Sequence, residues 1–485
     1  MSLLSQTEGL VLLALFGVVM IALVWVRTHQ EKHAEGFLAA DRQVPAWKGA
    51  FSIAISWAWA PAIFICSMQA FNMGLPGIFW FTVPNIICFF VFVPIALRLR
   101  KLLPKGYTMP QFIYERYKGS APVHLIFVVG YMLYMLSALV ANAYAGGSLL
   151  HALSGVDLDL AIISMIGIAL AYSFLSGLKA SIFTDVIQMV MVLGLAIIIV
   201  PWCLIELGGA STIMNGLGGV TESAANRSVF NPAVAFAMGI PMSIALLTGP
   251  IGDQMFFQRT FAVKKEAVKK TFIWGGLLFG LIPITLSLLG FMGADLVLQG
   301  EITVSNPEMV GPVVVGYLLP KAALYAFTLM ALAGLCSTLD SAFCALSALG
   351  GVDVYQRYVQ PRAKDRRLLK ASRKFMVGFA VLGLAIALLK PKLLWVFLTG
   401  GSVTAAVFFP VIFSLFWSQI SARGAGAAVA TSLLVGVPFT IYANVQGDAN
   451  LIVLAAIVSV SLGLVVCVID GVLNKAAPYQ FKALN

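Results

Sequence analysis

Long apolar runs separated by short charged segments fill the chain from residue 8 to residue 473. A membrane-spanning helix needs about 20 mostly apolar residues. Thirteen segments meet that criterion, near 8–27, 48–74, 77–98, 122–153, 159–176, 180–205, 230–251, 269–296, 321–349, 371–389, 391–418, 425–443 and 449–473. Polar residues break the pattern most sharply in the ninth, where the stretch Gly334 to Leu349 (GLCSTLDSAFCALSAL) carries Ser337, Thr338, Asp340 and Ser341 within one and a half helical turns. A carboxylate and three hydroxyls at bilayer depth are costly unless they face a protein interior, a water-filled cavity or an ion. Ser337 and Ser341 are four apart and Thr338 and Ser341 three apart, which puts them on one side of a helix. A single membrane Ser or Thr usually bonds back to its own helix or lets helices approach. An adjacent Ser-Thr pair with an Asp two residues on points to a site.

Two other runs are interrupted by proline. Segment 48–74 holds Pro61 within SWAWAPAIF, and 230–251 holds Pro232, Pro241 and a Gly249-Pro250 ending. Proline removes a backbone donor and frees carbonyl oxygens, and unwound helices at mid-membrane are where transporters place ions and substrates. The two interrupted runs are five spans apart. The spacing therefore predicts a single transmembrane domain over 1–485, with an extra helix at 8–27, a first five-helix repeat at 48–205, a second at 230–418 and two appended helices at 425–473. No clear residue-level repeat accompanies that spacing.

Composition agrees with an all-α polytopic membrane protein: 60% of residues are hydrophobic and 11% charged. The formal charge of +11 reads as loop asymmetry across a membrane and not as a nucleic-acid surface. With thirteen spans, 27 of the 31 Lys and Arg fall on one side, and only Arg227, Lys321, Lys390 and Lys392 fall opposite. That excess predicts a cell-membrane protein with its N-terminus outside and its C-terminus cytoplasmic. The loop 99–121 is amphipathic and expected at the interface. The loop 350–372 is the most basic stretch and is expected to anchor to the membrane, in reach of anionic lipid. All six cysteines lie in apolar segments without a CxxC pair, which argues against disulfides and zinc. The first run lacks a basic leading region and a small-residue cleavage site, so it is expected to be retained.

Four stretches together resemble the sodium:solute symporter family, whose members include sodium-coupled transporters of sugars, proline, pantothenate, iodide, sialic acid and urea. They are GFLAADRQVPAWKGAFSIAIS (36–56), YSFLSGLKASIFTDVIQMVMV (172–192), DQMFFQRTFAVKKEAVKK (253–270), similar to the family's Gln-Arg cytoplasmic loop, and AGLCSTLDSAFCALSAL (333–349). The resemblance implies a LeuT-type inverted repeat with alternating access. It also implies a sodium ion held by the hydroxyls of Ser337 and Thr338 and the carbonyls of Gly334, Ile55 and Ala58. Neutral oxygens suit that role, since they replace a hydration shell without trapping the ion. Asp185 matches the family's carboxylate on the ion's exit path; the plainer alternative is an interfacial pair with Lys179. Asp340 and Ser341 are expected in a polar network beneath the ion, with an Arg or Lys as partner to Asp340. At the position where sugar and iodide carriers have a Gln, this chain has Ala62, and its paired tryptophans resemble the urea-transporter branch. The candidate substrate pocket comprises Trp57, Trp59, Ala62, Gln69, Trp80, Asn142, Met242, Ser243 and Thr248.

The expected function is sodium-coupled import of a small polar solute, such as urea, an amino acid, a short carboxylate or a nucleobase, with lipid as the surrounding partner. Proton coupling in the same fold is the nearest alternative, through Asp185 or Asp340. A passive channel would show repeated filter loops or rings of charge, and neither is present. An embedded enzyme or sensor would need a catalytic constellation, metal spacing or phosphate loop, and none occurs.

Overall fold

The computed structural model describes residues 3–27, 30–474 and 477–484; of the basic residues used above for orientation, Lys475 lies outside this set. Among the described residues the chain is helical, and its one β contact is a parallel bridge between Val44 and Val263. Helix α1 (Gln6–Arg27) and the short α2 (Ala34–Ala39) lead to α3 (Ala46–Trp57). The backbone leaves the helix at Ala58 (φ −78°, ψ 61°). It resumes as a π-helical turn, Pro61–Ile65, that runs into α4 (Cys66–Leu102). The short α5 (Met109–Arg116) then precedes three long helices, α6 (Ala121–Ser154), α7 (Leu158–Ser176) and α8 (Leu178–Glu206). Beyond α9 (Ser211–Gly216) and α10 (Pro232–Val234), α11 (Ile240–Gly252) turns abruptly into α12 (Gln254–Ala262). Helices α13 (Val268–Leu298) and α14 (Val310–Leu318) lead to α15 (Lys321–Ala348), which a π-helical segment, Leu349–Val359, prolongs. The remainder is α16 (Asp365–Ala387), α17 (Leu393–Phe416), α18 (Ala422–Thr431), α19 (Val437–Gln446) and α20 (Ala449–Leu473).

Eleven segments among the described residues are long and apolar enough to cross a membrane, so the count of thirteen is not confirmed. The difference arises in two places. Residues 61–102 register as one run, although Gly74 inside it is non-helical (φ 67°, ψ −147°). A Cβ at Gly74 would lie 2.3 Å from the Leu217 carbonyl oxygen, so both the left-handed backbone and the close approach require glycine. The other place is α16, whose first half, DRRLLKASRK, is too charged to register.

The expected break within 230–251 is not where the prolines are. Pro232 starts α10, where its missing N–H costs nothing. Pro241 is absorbed just behind a widened π turn at Ala235–Gly239, and Pro250 within the last turn of α11. Helix is lost only at Asp253 (φ −101°, ψ 113°), whose carboxylate then accepts from the Met255 N–H at 2.6 Å and caps α12.

The centre of the bundle is α15, buried at every position from Met330 to Ala348, as befits a helix surrounded by others. It packs against α3, α6, α7, α8 and α16. The turn from α7 to α8 is made by Gly177 at φ +56°, where a Cβ would meet the Phe37 carbonyl oxygen at 2.5 Å. That tight turn aims Ser181 and Asp185 of α8 at α15. The six cysteines are all buried and unpaired.

Candidate functional site

The site forms where the end of α3 meets the middle of α15. At the break, Ala58 N–H bonds the Ile55 carbonyl (3.0 Å) and Trp59 N–H the Trp57 carbonyl (2.9 Å). The Ala60 N–H goes to the side-chain oxygen of Asn142 on α6, at 2.9 Å. A side chain from a neighbouring helix thus takes up an N–H that the restarting helix leaves without an intrahelical acceptor. Thr338 of α15 donates to the Ser56 carbonyl at 3.2 Å, in the same turn as Ile55 and Ala58. One turn earlier, Gly334 lets Ile63 close in: an added Cβ would meet its Cδ1 at 2.5 Å. Ser337 points elsewhere and donates to Asp185 Oδ1 at 2.5 Å.

Beneath this lies a buried polar cluster built around Arg259 of α12, which is 0% exposed. Its Nη2 reaches Asp185 Oδ2 (3.1 Å), Ser341 Oγ (2.6 Å), Ser56 Oγ (3.0 Å) and Ser181 Oγ (3.3 Å), and its Nε reaches Ser52 Oγ (3.1 Å). Asp185 Oδ2 also accepts from Ser52 at 2.5 Å. Asp340 accepts from Ser181 (2.6 Å), Tyr172 (2.8 Å) and Thr184 (3.3 Å). The expected Arg or Lys partner therefore does not touch Asp340; Arg259 reaches it through Ser181 and Ser341. Nor does Lys179 pair with Asp185, since it is held by Glu31 and Asp41, both at 2.6 Å. Two carboxylates face one guanidinium, so with both acids ionised the cluster carries a formal charge of −1.

Beside the break is a cavity lined by Trp57, Trp59, Pro61, Ala62, Phe81, Asn85, Tyr134, Leu246, Phe279 and Phe397. Its free volume, about 20 Å³, holds one or two waters. Trp57 donates to Asn85 Oδ1 at 2.9 Å, whereas the buried Nε1 of Trp59 has no partner among the described residues. Tyr134 lies against Trp59 with ring centroids 5.2 Å apart.

The sodium:solute symporter family profile matches residues 37–432. The chain belongs to this family. Among its curated relatives is the urea-proton symporter DUR3 of Oryza sativa subsp. japonica, 24% identical over 90% of this chain. This chain spans 65% of that relative's length. The sodium/glucose cotransporter of Vibrio parahaemolyticus is 23% identical over 85% of this chain and 80% of its own. Among solved structures, a substrate-bound outward-open Na⁺-coupled sialic acid symporter superposes with a TM-score of 0.79 at 18% identity, covering 98% of both chains. Mhp1, a nucleobase-cation-symport-1 family transporter in a closed conformation, gives 0.51 at 16% identity, over 91% of this chain and 94% of its own. The architecture is thus the LeuT type.

Of the candidate pocket residues, Trp57, Trp59 and Ala62 line this cavity, while Asn142 stands behind it as the cap of the break. Thr248 instead bonds Thr404 (3.0 Å) on α17, and Trp80 packs on Gly239. Gln69, Met242 and Ser243 also lie off the cavity. Sequence reasoning misses Phe81, Asn85 and Tyr134, and above all Arg259, which the charge pattern groups with the loop cations. The expected Gln-Arg loop is in fact the helix α12, buried at all nine residues. Its apolar neighbours, Phe256, Phe257 and Phe261, were the available signal.

Proposed function

We propose that the protein is a symporter that couples sodium entry to uptake of a small, flat polar solute of urea's dimensions. The observation that carries this reading is the unwound backbone after Trp57 set against the Thr338 hydroxyl. There, Ile55 and Ala58 would supply carbonyls from one helix and Gly334 and Thr338 oxygens from the other, with Ser337 turning from Asp185 to join them. The two helices belong to different five-helix units, 48–205 and 230–418, so an ion bridging them favours one relative orientation of the units. Loss of the ion to the cytoplasm, past Asp185, releases that restraint. Ser337 is already hydrogen-bonded to Asp185, which gives a departing cation its next oxygen. The basic-residue asymmetry supports an N-terminus outside and a C-terminus in the cytoplasm.

The cavity supports the solute class. At about 20 Å³ it must open for any solute, but its aromatic walls suit a flat molecule, and the Nε1 of Trp59 offers one donor suited to a carbonyl oxygen between aromatic faces. A second reading, proton coupling, is favoured by one specific observation: the formal −1 of the Asp185–Asp340–Arg259 cluster, which a proton would neutralise.

Uptake of labelled urea, proline, a short carboxylate and a nucleobase into proteoliposomes tests both readings. Accumulation of one solute under a sodium gradient, abolished by its replacement with potassium, is the expected result. Equal accumulation under a proton gradient without sodium would replace sodium with the proton.

A further inference from the structure

At the end of the bundle where basic residues collect, a groove of about 1100 Å³ opens between the link that precedes α2 and the first three turns of α16. Gln30, Glu31, Lys32 and His33 form one wall, and Lys364, Asp365, Arg366, Lys370, Arg373 and Lys374 the other. Phe174, Leu369 and Val377 form an apolar floor.

The charges of this groove do not balance within the protein. Its two carboxylates are already engaged. Glu31 is bonded to Lys179 at 2.6 Å. Burial alone would raise its carboxyl, but Lys179 and two backbone N–H groups override that and hold it below its ordinary range. Asp365 accepts from the Ala34 N–H at 2.9 Å and faces His33 at 3.4 Å. Arg373 is also committed, donating to the carbonyls of Glu31 (2.9 Å), Leu175 (3.0 Å) and Phe174 (3.2 Å). Lys32, Lys364, Arg366, Lys370 and Lys374 remain. All five are exposed, and none has a side-chain hydrogen bond or ion pair among the described residues.

We infer that this groove binds the phosphate headgroup of an anionic phospholipid, with the acyl chains lying on Phe174, Leu369 and Val377. Three features favour a lipid over a soluble anion. The basic rim sits at the start of a helix whose later residues, Met376 to Ala387, are almost wholly apolar, so the groove faces the headgroup layer. The floor is apolar and continuous with that surface, which a free phosphate would not use. Clusters of four to eight cations beside a membrane helix attract anionic lipid at roughly a fivefold gain in affinity for each charge. The bound lipid would also brace the link into α2, whose Leu38 carbonyl accepts from Gln258, next to Arg259.

The test uses the full-length protein in phosphatidylcholine nanodiscs, titrated with a fluorescent phosphatidylglycerol. Wild type should bind it saturably, and K370A/K374A should bind about tenfold more weakly or worse. Neither lysine has a side-chain partner among the described residues, so folding should be kept; the control K264A/K265A, basic but outside the groove, should match wild type. Equal affinity in K370A/K374A would overturn the assignment. So would an equal loss in K264A/K265A, which would mean diffuse attraction. Displacement of the lipid by millimolar inorganic phosphate would also overturn it, marking the groove as a soluble-anion site.

Discussion

The two helix interruptions, after Trp57 and after Gly252, are built from the same residue types and do opposite things. Around the first, Ala58 and Trp59 leave the helix, Asn142 takes up the Ala60 N–H, and the Ser56 carbonyl turns toward Thr338. The result is a set of neutral oxygens, which the proposed site for a mobile cation would use. Around the second, Pro241 and Pro250 stay inside regular helix, and the chain turns only at Asp253. Helix α12 starts at that turn and delivers a tethered cation, Arg259, to the same cluster. Proline alone therefore does not decide where a membrane helix opens. The outcome depends on whether a neighbouring group exists to receive the freed backbone atoms.

The contrast between mobile and tethered cation is tested most severely by Arg259→Ala. It would strand Asp185 without its ion pair in a buried site, which costs about 3–5 kcal/mol. Transport should be abolished and thermal stability in detergent sharply reduced; a variant with normal stability and uptake would refute the tethered-cation role. A smaller effect is expected at the first interruption. Thr338→Ala removes one neutral oxygen and should weaken sodium dependence of uptake about tenfold, or ~1.4 kcal/mol, with folding intact. An unchanged half-saturating sodium concentration would remove Thr338 from the ion's ligands.

The smallest effect concerns Asp253. Burial raises its carboxyl, against the pull of the Met255 N–H and of Arg259, from an ordinary 3.8 to about 7. The folded protein thus binds this proton more tightly than the unfolded chain does. Its contribution to stability is full below about pH 4 and is lost as pH rises toward about 7. Asp253→Asn keeps the cap and removes the titration, so melting temperatures at about pH 5 and about pH 8 should lie closer together than in wild type, by roughly a few degrees. Parallel pH dependence in the two proteins would disprove this.

Helix positions were legible in the sequence because apolar runs of membrane length have few other uses. Segment 122–153 corresponds to α6 (Ala121–Ser154), and 449–473 to α20 (Ala449–Leu473). Ser337, Thr338, Asp340 and Ser341 were legible for a related reason: polar atoms inside such a run must be satisfied by something. Periodicity along one helix cannot convey which other helix provides the partner. Asp340 finds Tyr172 and Ser181, not a cation, and Asp185 finds Arg259, 74 residues away, not Lys179. Arg259 was hidden by its context, since the run of lysines after it reads as one solvated loop. The left-handed turn at Gly74 blurred the span count, because nothing in hydropathy distinguishes a sharp turn between apolar helices from a continuous one.

The burial of all six cysteines makes the wild-type chain a silent background for thiol labelling. Maleimides react with exposed thiolates, and at rest this protein offers none. In an Ala62→Cys variant the new thiol would therefore be the reporter of when the cavity faces water, with the six native thiols staying dark as long as the packing around them holds.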